Sequence, residues 1–110
     1  KITPKRAWEG ALAEGQNNGA PIDLQDCFIH FSAADQLAET AAKHFATQDD
    51  LLLVAVNAEA LGDRLKWEIS RGGALFPHLY GRLNLTAVLW VKPMPLQSDG
   101  THQLPDEVIL

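Results

Sequence analysis

The sequence predicts a single α+β domain in which two helices pack on a bent, largely antiparallel sheet. Three observations lead to this class. The chain has 110 residues, of which 46% are hydrophobic and 21% are charged, a composition typical of one globular domain. Apolar residues at helical spacing occur in two segments early in the chain, and short strand-like segments follow them. Six consecutive apolar residues, Leu51–Val56, indicate a central strand that is buried on both faces.

The two helices are predicted from their start signals and their apolar faces. The first begins at Thr3 and Pro4, because threonine can cap free N–H groups and proline suits the first helical position, and it ends at Gly15. The second begins at Ser32, which together with Asp35 resembles a capping box. The apolar faces comprise Ala7, Trp8, Ala11 and Leu12 in the first helix, and Leu37, Ala41, His44 and Phe45 in the second.

Short strands and turns account for the rest of the chain. Strands are predicted over residues 28–31, 51–56, 65–69, 76–80 and 86–91. A loop is predicted over residues 16–25, a turn that contains one helical turn over 57–62, and a glycine loop over 70–74. Proline and glycine become frequent near the end. We therefore expect one α+β domain over residues 1–95 and a loosely ordered tail over residues 96–110.

Charge, hydropathy and cysteine content exclude several classes of protein. A net charge of −5 argues against DNA binding, which requires clustered Lys and Arg facing phosphates. No apolar run approaches the roughly 18 residues of a membrane span, and no signal peptide is visible at the start. The single cysteine, Cys27, cannot form an internal disulfide. We therefore expect a cytoplasmic protein without DNA or membrane partners, and no pattern indicates its oligomeric state.

The strand over residues 28–31 carries the first candidate site residues. Alternation along a strand places His30 and Ser32 on one face, near a helix N-terminus whose N–H groups can bind an anion. The alternative is a partly buried histidine bonded to backbone, next to an ordinary serine cap. A direct bond between the two side chains is not expected, because same-face neighbours lie about 6.6 Å apart along a strand.

Charged residues of the next strand and loop form a second group of candidates. Lys66 and Glu68 share a strand face, where a carboxylate can orient a ribose hydroxyl or act as a general base. The alternative is a cross-strand ion pair at a sheet edge. Arg71 lies beside Gly72 and Gly73 and suits bidentate contacts to phosphate, or it is a solvated loop charge.

Aromatic residues of the following strand complete the candidate set. Phe76, His78 and Tyr80 alternate along the chain and therefore face the same way, either to stack on a flat ring or to pack in the core. The four histidines show no metal-ligand spacing, and Cys27 has no partner cysteine. No metal site is therefore expected.

Several segments stand out when they are read together. They are Asp26-Cys27-Phe28-Ile29-His30-Phe31-Ser32, Asp50-Leu51-Leu52-Leu53, Lys66-Trp67-Glu68 and Phe76-Pro77-His78-Leu79-Tyr80-Gly81. In combination they resemble the bacterial family called domain of unknown function 952, over the chain up to about Pro95. Members of that family begin with a short strand ending in His or Lys, and Lys1 occupies this position here.

This resemblance implies an ADP-ribosylation-like fold, a split and mostly antiparallel sheet around an NAD-binding cleft. Residues 28–57 also resemble segments of the RNA 2′-phosphotransferases and of poly-ADP-ribose polymerase catalytic domains. The implied function is binding of NAD, the one candidate cofactor or substrate, or of an ADP-ribosyl-like nucleotide. Transfer or release of the ADP-ribosyl group is the implied reaction.

The resemblance also implies roles for individual residues. His30 and Glu68 are the implied catalytic residues, with His30 contacting ribose or phosphate and Glu68 stabilising the developing oxocarbenium ion. The implied ligand-binding residues are Ser32 for the nicotinamide amide, Arg71 for pyrophosphate, Tyr80 or Phe76 for the leaving ring, and additionally His78 and Lys66. The sequence departs from the phosphotransferases in lacking their set of arginines.

Two alternative functions remain open from the sequence. One is a non-catalytic module with a degenerate cleft, which binds a metabolite or a protein, and the missing arginines favour it. The other is a metal-assisted hydrolase that uses His30 and His78.

Overall fold

Three antiparallel sheets form the framework of the part of the chain that the structure describes. The computed structural model describes residues 1–17, 23, 28–106 and 108. The strands are β1 (Ile2–Pro4), β2 (Gln16–Asn17), β3 (Ile29–His30), β4 (Leu51–Val56), β5 (Leu65–Ile69), β6 (Leu75–Leu79), β7 (Leu83–Asn84) and β8 (Val88–Pro93). Two sheets have three strands each, in the orders β1-β4-β8 and β3-β6-β5, and β2 pairs with β7. Every one of these pairings is antiparallel.

Three α-helices pack on these sheets within the described residues. They are α1 (Lys5–Glu14), α2 (Leu37–His44) and α3 (Ala58–Leu61). The short α3 corresponds to the helical turn predicted within residues 57–62. The α+β class with antiparallel pairing is thus confirmed, with one short helix more than the two that the sequence predicts. Each described helix is too short to cross a bilayer.

Both predicted helix starts differ from the structure. Thr3 is buried in β1 opposite Leu52, and α1 begins at Lys5. Pairing and burial of this segment against β4 provide more contacts than a threonine cap would. At the second helix, the side-chain oxygen of Gln36 accepts from the backbone N–H of Ala33 at 2.8 Å. Ala33 is the N-cap of a 3₁₀ turn over Ala34–Gln36 that leads into α2, so the predicted cap at Ser32 lies one residue before the observed one.

Two apolar clusters lie on opposite sides of β4. Leu51 and Leu53 pack in one cluster with α2, whereas Val54 packs in the other with β3 and β6. The predicted burial of this strand on both faces is confirmed. In α1, Trp8 and Ala11 are buried. Leu12, in contrast, is 54% exposed, so its predicted place on the apolar face is wrong.

The last strand is displaced from its predicted position. The strand predicted over residues 86–91 is β8 (Val88–Pro93), because a 3₁₀ turn over Leu85–Ala87 precedes it. After Pro95, the predicted loosely ordered tail makes several defined contacts. Leu104 and Val108 pack against the second cluster, and Nε2 of His102 donates to the carbonyl of Gln48 at 2.6 Å. The predicted loop over residues 16–25 begins with β2, and most of it lies outside the described residues.

Candidate functional site

Six of the predicted site residues, Tyr80 included, meet on one face of the β3-β6-β5 sheet. His78 in β6 lies directly opposite His30 in β3 and Lys66 in β5. One row further along, Glu68 lies opposite Phe76. Since side chains alternate along a strand, these residues share a face, which we call the histidine face. On the opposite face of the same sheet, Ile29 and Leu79 are buried in the core, whereas Trp67 is exposed.

Glu68 connects two neighbours on the histidine face. Its Oε1 accepts a hydrogen bond from Tyr80 OH at 2.6 Å and one from His78 Nδ1 at 2.9 Å. The hydrogen bonds from Tyr80 and then from His78 lower the pKa of Glu68 below its usual value. The hydrogen bond that Tyr80 donates to Glu68 raises the pKa of Tyr80. At neutral pH, Glu68 is therefore a carboxylate and Tyr80 a neutral phenol.

A second carboxylate, Asp23, holds the other histidine. Its Oδ1 accepts from His30 Nδ1 at 2.5 Å and from the His30 backbone N–H at 2.9 Å. Its Oδ2 lies 3.0 Å from Lys1 Nζ, which also donates to the His30 carbonyl at 2.9 Å. Burial raises the pKa of Asp23, but the bonds from His30 and the charge of Lys1 outweigh it and lower the pKa to about 2.

The ring of Phe28 contacts the imidazoles of both histidines. Its centroid is 4.1 Å from that of His78, with the rings nearly parallel, and 4.6 Å from that of His30. Tyr80 lies 5.5 Å from Phe28 on the same face. The two imidazole centroids are 5.6 Å apart in an edge-to-face arrangement. Aromatic packing of this kind fixes the orientation of both imidazoles.

Of the remaining predicted site residues, Ser32 lies away from this cluster. Ser32 lines a mostly apolar cavity of about 310 Å³ with Lys1, Phe31, Trp67 and Trp90. Its Oγ lies 3.3 Å from Oγ1 of Thr40. The structure thus separates Ser32 from His30, because β3 ends at His30 and the alternation of a strand stops there. Phe76 is buried on the histidine face, and the side chain of Arg71 lies outside the described part of the chain.

Sequence reasoning missed two residues of the cluster. Phe28 could have been added from its alternation with His30, since both lie on one face of the same strand. Asp23 falls in the segment that the sequence predicts as a loop, residues 16–25, where no periodicity distinguishes it from other acidic residues. Its role appears only because Lys1 and His30 converge on it from two different sheets.

The family model described as "Protein of unknown function (DUF952)" matches residues 2–91. The chain belongs to this family. The X-ray crystal structure of protein CC0527 from Caulobacter crescentus is 49% identical, with a TM-score of 0.94, and the match covers 100% of this chain and 96% of that one. The solution NMR structure of CC0527 is 50% identical, with a TM-score of 0.84, and covers 94% and 89% of the two chains. No curated protein matches the chain.

The histidine face contains two carboxylate–imidazole pairs, Asp23–His30 and Glu68–His78. In each pair the carboxylate accepts a hydrogen bond, so Nδ1 of the imidazole carries the proton. Among the residues that the structure describes, no three His, Cys, Asp or Glu side chains are grouped to hold a metal ion. The arrangement is suited to proton transfer and to stacking of a flat ring.

Proposed function

We propose that this protein binds NAD or a related ADP-ribosyl nucleotide at the histidine face, and that it transfers or releases the ADP-ribosyl group. The observation that carries this proposal is the placement of Glu68. Its ionised carboxylate is held by His78 and Tyr80 beside partly exposed aromatic rings. A fixed negative charge next to a stacking surface suits a ribosyl group that develops positive charge beside a planar leaving ring.

The exposed groups of the histidine face match the parts of such a ligand. The side chain of His30 is 34% exposed and can contact ribose or phosphate. Tyr80 is 38% exposed and can stack on a flat ring. Lys66 is exposed in the same row as the histidines and provides a positive charge for a phosphate. Together these residues cover the ring, the sugar and the phosphates of a nucleotide.

The position of Lys1 supports an ADP-ribosylation-like fold, which is part of this proposal. Lys1 precedes β1 in one three-stranded sheet, and His30 belongs to β3 in the other. Its ammonium group bonds the carbonyl of His30 across the gap between the two sheets. A split antiparallel sheet with a first-strand residue at the split is the arrangement that the family resemblance implies.

A second candidate is a binding module without turnover. Glu68 Oε1 already accepts two hydrogen bonds, and Ser32 lines a separate cavity instead of the histidine face. The residues implied for ADP-ribosyl transfer are therefore divided between two places. Such a protein would bind the nucleotide and release no nicotinamide.

The test is a thermal-shift titration with NAD, ADP-ribose, AMP and nicotinamide. A ligand at 100 times its Kd stabilises the folded state by about 2.7 kcal/mol, which raises the Tm of a domain of this size by several degrees. We expect the shift with ADP-ribose to disappear in Glu68→Gln and in His30→Ala. It should persist in Glu59→Gln, a matched control on the exposed surface of α3.

Each result of this titration has a definite meaning. No shift with any of these nucleotides overturns the proposal, as does a shift that Glu68→Gln and His30→Ala leave unchanged. If NAD binds, release of nicotinamide is then measured by chromatography. Release that depends on Glu68 supports ADP-ribosyl transfer or hydrolysis, whereas binding without release identifies the non-catalytic module.

A further inference from the structure

Strand β5 forms an open edge of the β3-β6-β5 sheet. Within the described part of the chain, it pairs only with β6. The N–H of Ser70 donates to the carbonyl of Ala74 at 2.9 Å where this pairing ends, and hydrogen-bonded pairs recur at every second residue of an antiparallel ladder. The backbone N–H and C=O groups of Trp67 and Ile69 therefore point away from β6. They make no hydrogen bond among the described residues.

The other strand edges in the described residues carry features that hinder the addition of a further strand. Strand β1 ends with Pro4. Strand β8 ends with Pro93 and is paired through a register shift between Ala55 and Val56. Strands β2, β3 and β7 are only two residues long. Strand β5, in contrast, has five residues with neither a proline nor a register shift, so it is the edge best suited to pair with another strand.

The face of β5 that is turned away from the histidine face exposes a stripe of large apolar side chains. Trp67 is 53% exposed and Ile69 is 76% exposed. Leu75 of β6 lies opposite Ile69 and is 50% exposed. Adjacent apolar side chains at an open strand edge are typical of an interaction surface.

The charged side chains of β5 fit a second copy of the same strand. If two β5 strands pair antiparallel with Trp67 opposite Trp67, Lys66 of each copy lies opposite Glu68 of the other. Opposite charges at directly facing positions stabilise a pair of strands. Tyr80 and His78 both bond Oε1 of Glu68, which leaves Oε2 to accept from the lysine of the second copy.

Other registers of two β5 strands are unfavourable. The outward-pointing backbone groups must face one another, so the pairing can shift only to registers that place Lys66 opposite Lys66 or Glu68 opposite Glu68, or that pair the strand ends alone. Like charges directly opposite one another destabilise a strand pair. These registers also leave residues of β5 without a partner, whereas the register centred on Trp67 pairs the whole strand.

We propose that β5 is a homodimer interface, through which two copies of the chain join their β3-β6-β5 sheets into one continuous sheet about a twofold axis. The backbone of Trp67 bonds that of Trp67 in the second copy in both directions. The N–H of Ile69 donates to the carbonyl of Leu65 in the second copy. On the apolar face, the two Trp67 rings pack together and Ile69 packs on Leu65. This inference goes beyond the proposed function and does not depend on it.

The first test is the oligomeric state of the full chain without nucleotide, measured by sedimentation over a range of concentrations. We expect a dimer. Lys66→Glu and Glu68→Lys should each raise the dissociation constant by about tenfold or more, because like charges then face each other. An equal mixture of the two variants should restore the dimer, since every charge again faces its opposite. Lys5→Glu, exposed at the start of α1, makes the same change of charge as Lys66→Glu and should leave the dimer intact.

Disulfide formation tests the register and does not require the charge variants. The background is Cys27→Ser, in which the chain has no other cysteine. The Cα atoms of a hydrogen-bonded antiparallel pair lie about 5.5 Å apart, which suits a disulfide. Trp67→Cys should therefore cross-link two copies under mild oxidation. Ile69→Cys is the control and should cross-link much more slowly, because the two copies of this position lie about 13 Å apart along the strands.

Three results would overturn the proposed interface. The first is a wild-type chain that stays monomeric at about 1 mM, a concentration at which even a weak pair forms. The second is a dimer that persists in correctly folded Lys66→Glu, or an equal mixture of the folded charge variants that stays monomeric. The third is Trp67→Cys cross-linking no faster than Ile69→Cys. None of these measurements involves a nucleotide, so their outcome is separate from that of the proposed function.

Discussion

The Asp23→Asn substitution removes a buried carboxylate that contacts both Lys1 and His30. The side chains of Asp23 and Lys1 are 0% and 5% exposed, so the variant leaves an ammonium group in the interior without its counter-ion. Breaking a buried ion pair by removing one partner costs about 3–5 kcal/mol. The lowered pKa of Asp23, about 2 against an ordinary 3.8, independently corresponds to roughly 2.5 kcal/mol. We therefore expect the variant to lose about 2.5–5 kcal/mol of stability at pH 7.

The pH dependence of this loss follows from the direction of the pKa shift. The pKa of Asp23 in the folded state lies below its value in the unfolded state. Its contribution is therefore fully present above about pH 4 and is lost as the pH falls toward 2. The stabilities of the wild type and of Asp23→Asn should differ most at neutral pH and converge in acid.

The assay is urea unfolding, followed by tryptophan fluorescence, to which the buried Trp8 contributes, at several pH values between 7 and 2.5. The urea concentration at the unfolding midpoint should fall. The slope of the unfolding free energy against urea concentration should stay the same, because unfolding exposes the same surface in both proteins. Asp63→Asn, at an exposed position, is the control and should change stability by less than about 0.5 kcal/mol. The double variant with Lys1→Met should lose less than the sum of the two single losses.

Two results would refute this reasoning. One is a cost below about 1 kcal/mol at pH 7, which would mean that the buried pair contributes no more than an exposed one. The other is a stability difference that stays constant between pH 5 and pH 2.5. Either result would show that the charge of Asp23 is not what stabilises Lys1 and His30.

Two further predictions concern a side-chain pKa and a helix. Tyr80→Phe removes the hydrogen bond that contributes most to the lowered pKa of Glu68, so this pKa should rise toward 4.5 in a carbon-detected NMR titration. An unchanged titration would show that Tyr80 does not bond Glu68 in solution. Gly10→Ala should stabilise α1 by about 0.5–1 kcal/mol, because alanine favours a helix and a Cβ there meets nothing within 4 Å. A lower unfolding temperature for Gly10→Ala would contradict the conclusion that a Cβ at this position meets no other atom.

Local patterns in the sequence were sufficient for many of the elements. The apolar run Leu51–Val56 is β4 with the predicted bounds, and the strand predicted over residues 65–69 is β5 (Leu65–Ile69). Gly15 ends α1 in the left-handed conformation that glycine adopts most easily. These features depend on residues close in sequence, and such interactions can be deduced without knowing the rest of the molecule.

Elements that depend on distant partners were misplaced. Thr3 and Pro4 have the composition of a helix start, but they form β1, which exists because β4 lies beside it some 50 residues later in the chain. Leu104 and Val108 belong to a segment rich in proline, yet they pack against an apolar cluster built by β1, α2 and β4. The burial that these long-range contacts provide outweighs local preference.

The candidate site shows the same division. The sequence by itself determined which residues share a strand face, Lys66 with Glu68 and His78 with Tyr80, because alternation is a property of one strand. Only the tertiary structure decided that His30 lies opposite His78 and that Asp23 and Lys1 converge on His30. Strand order and register are set by packing and loop closure over the whole chain, so no short stretch of sequence contains them.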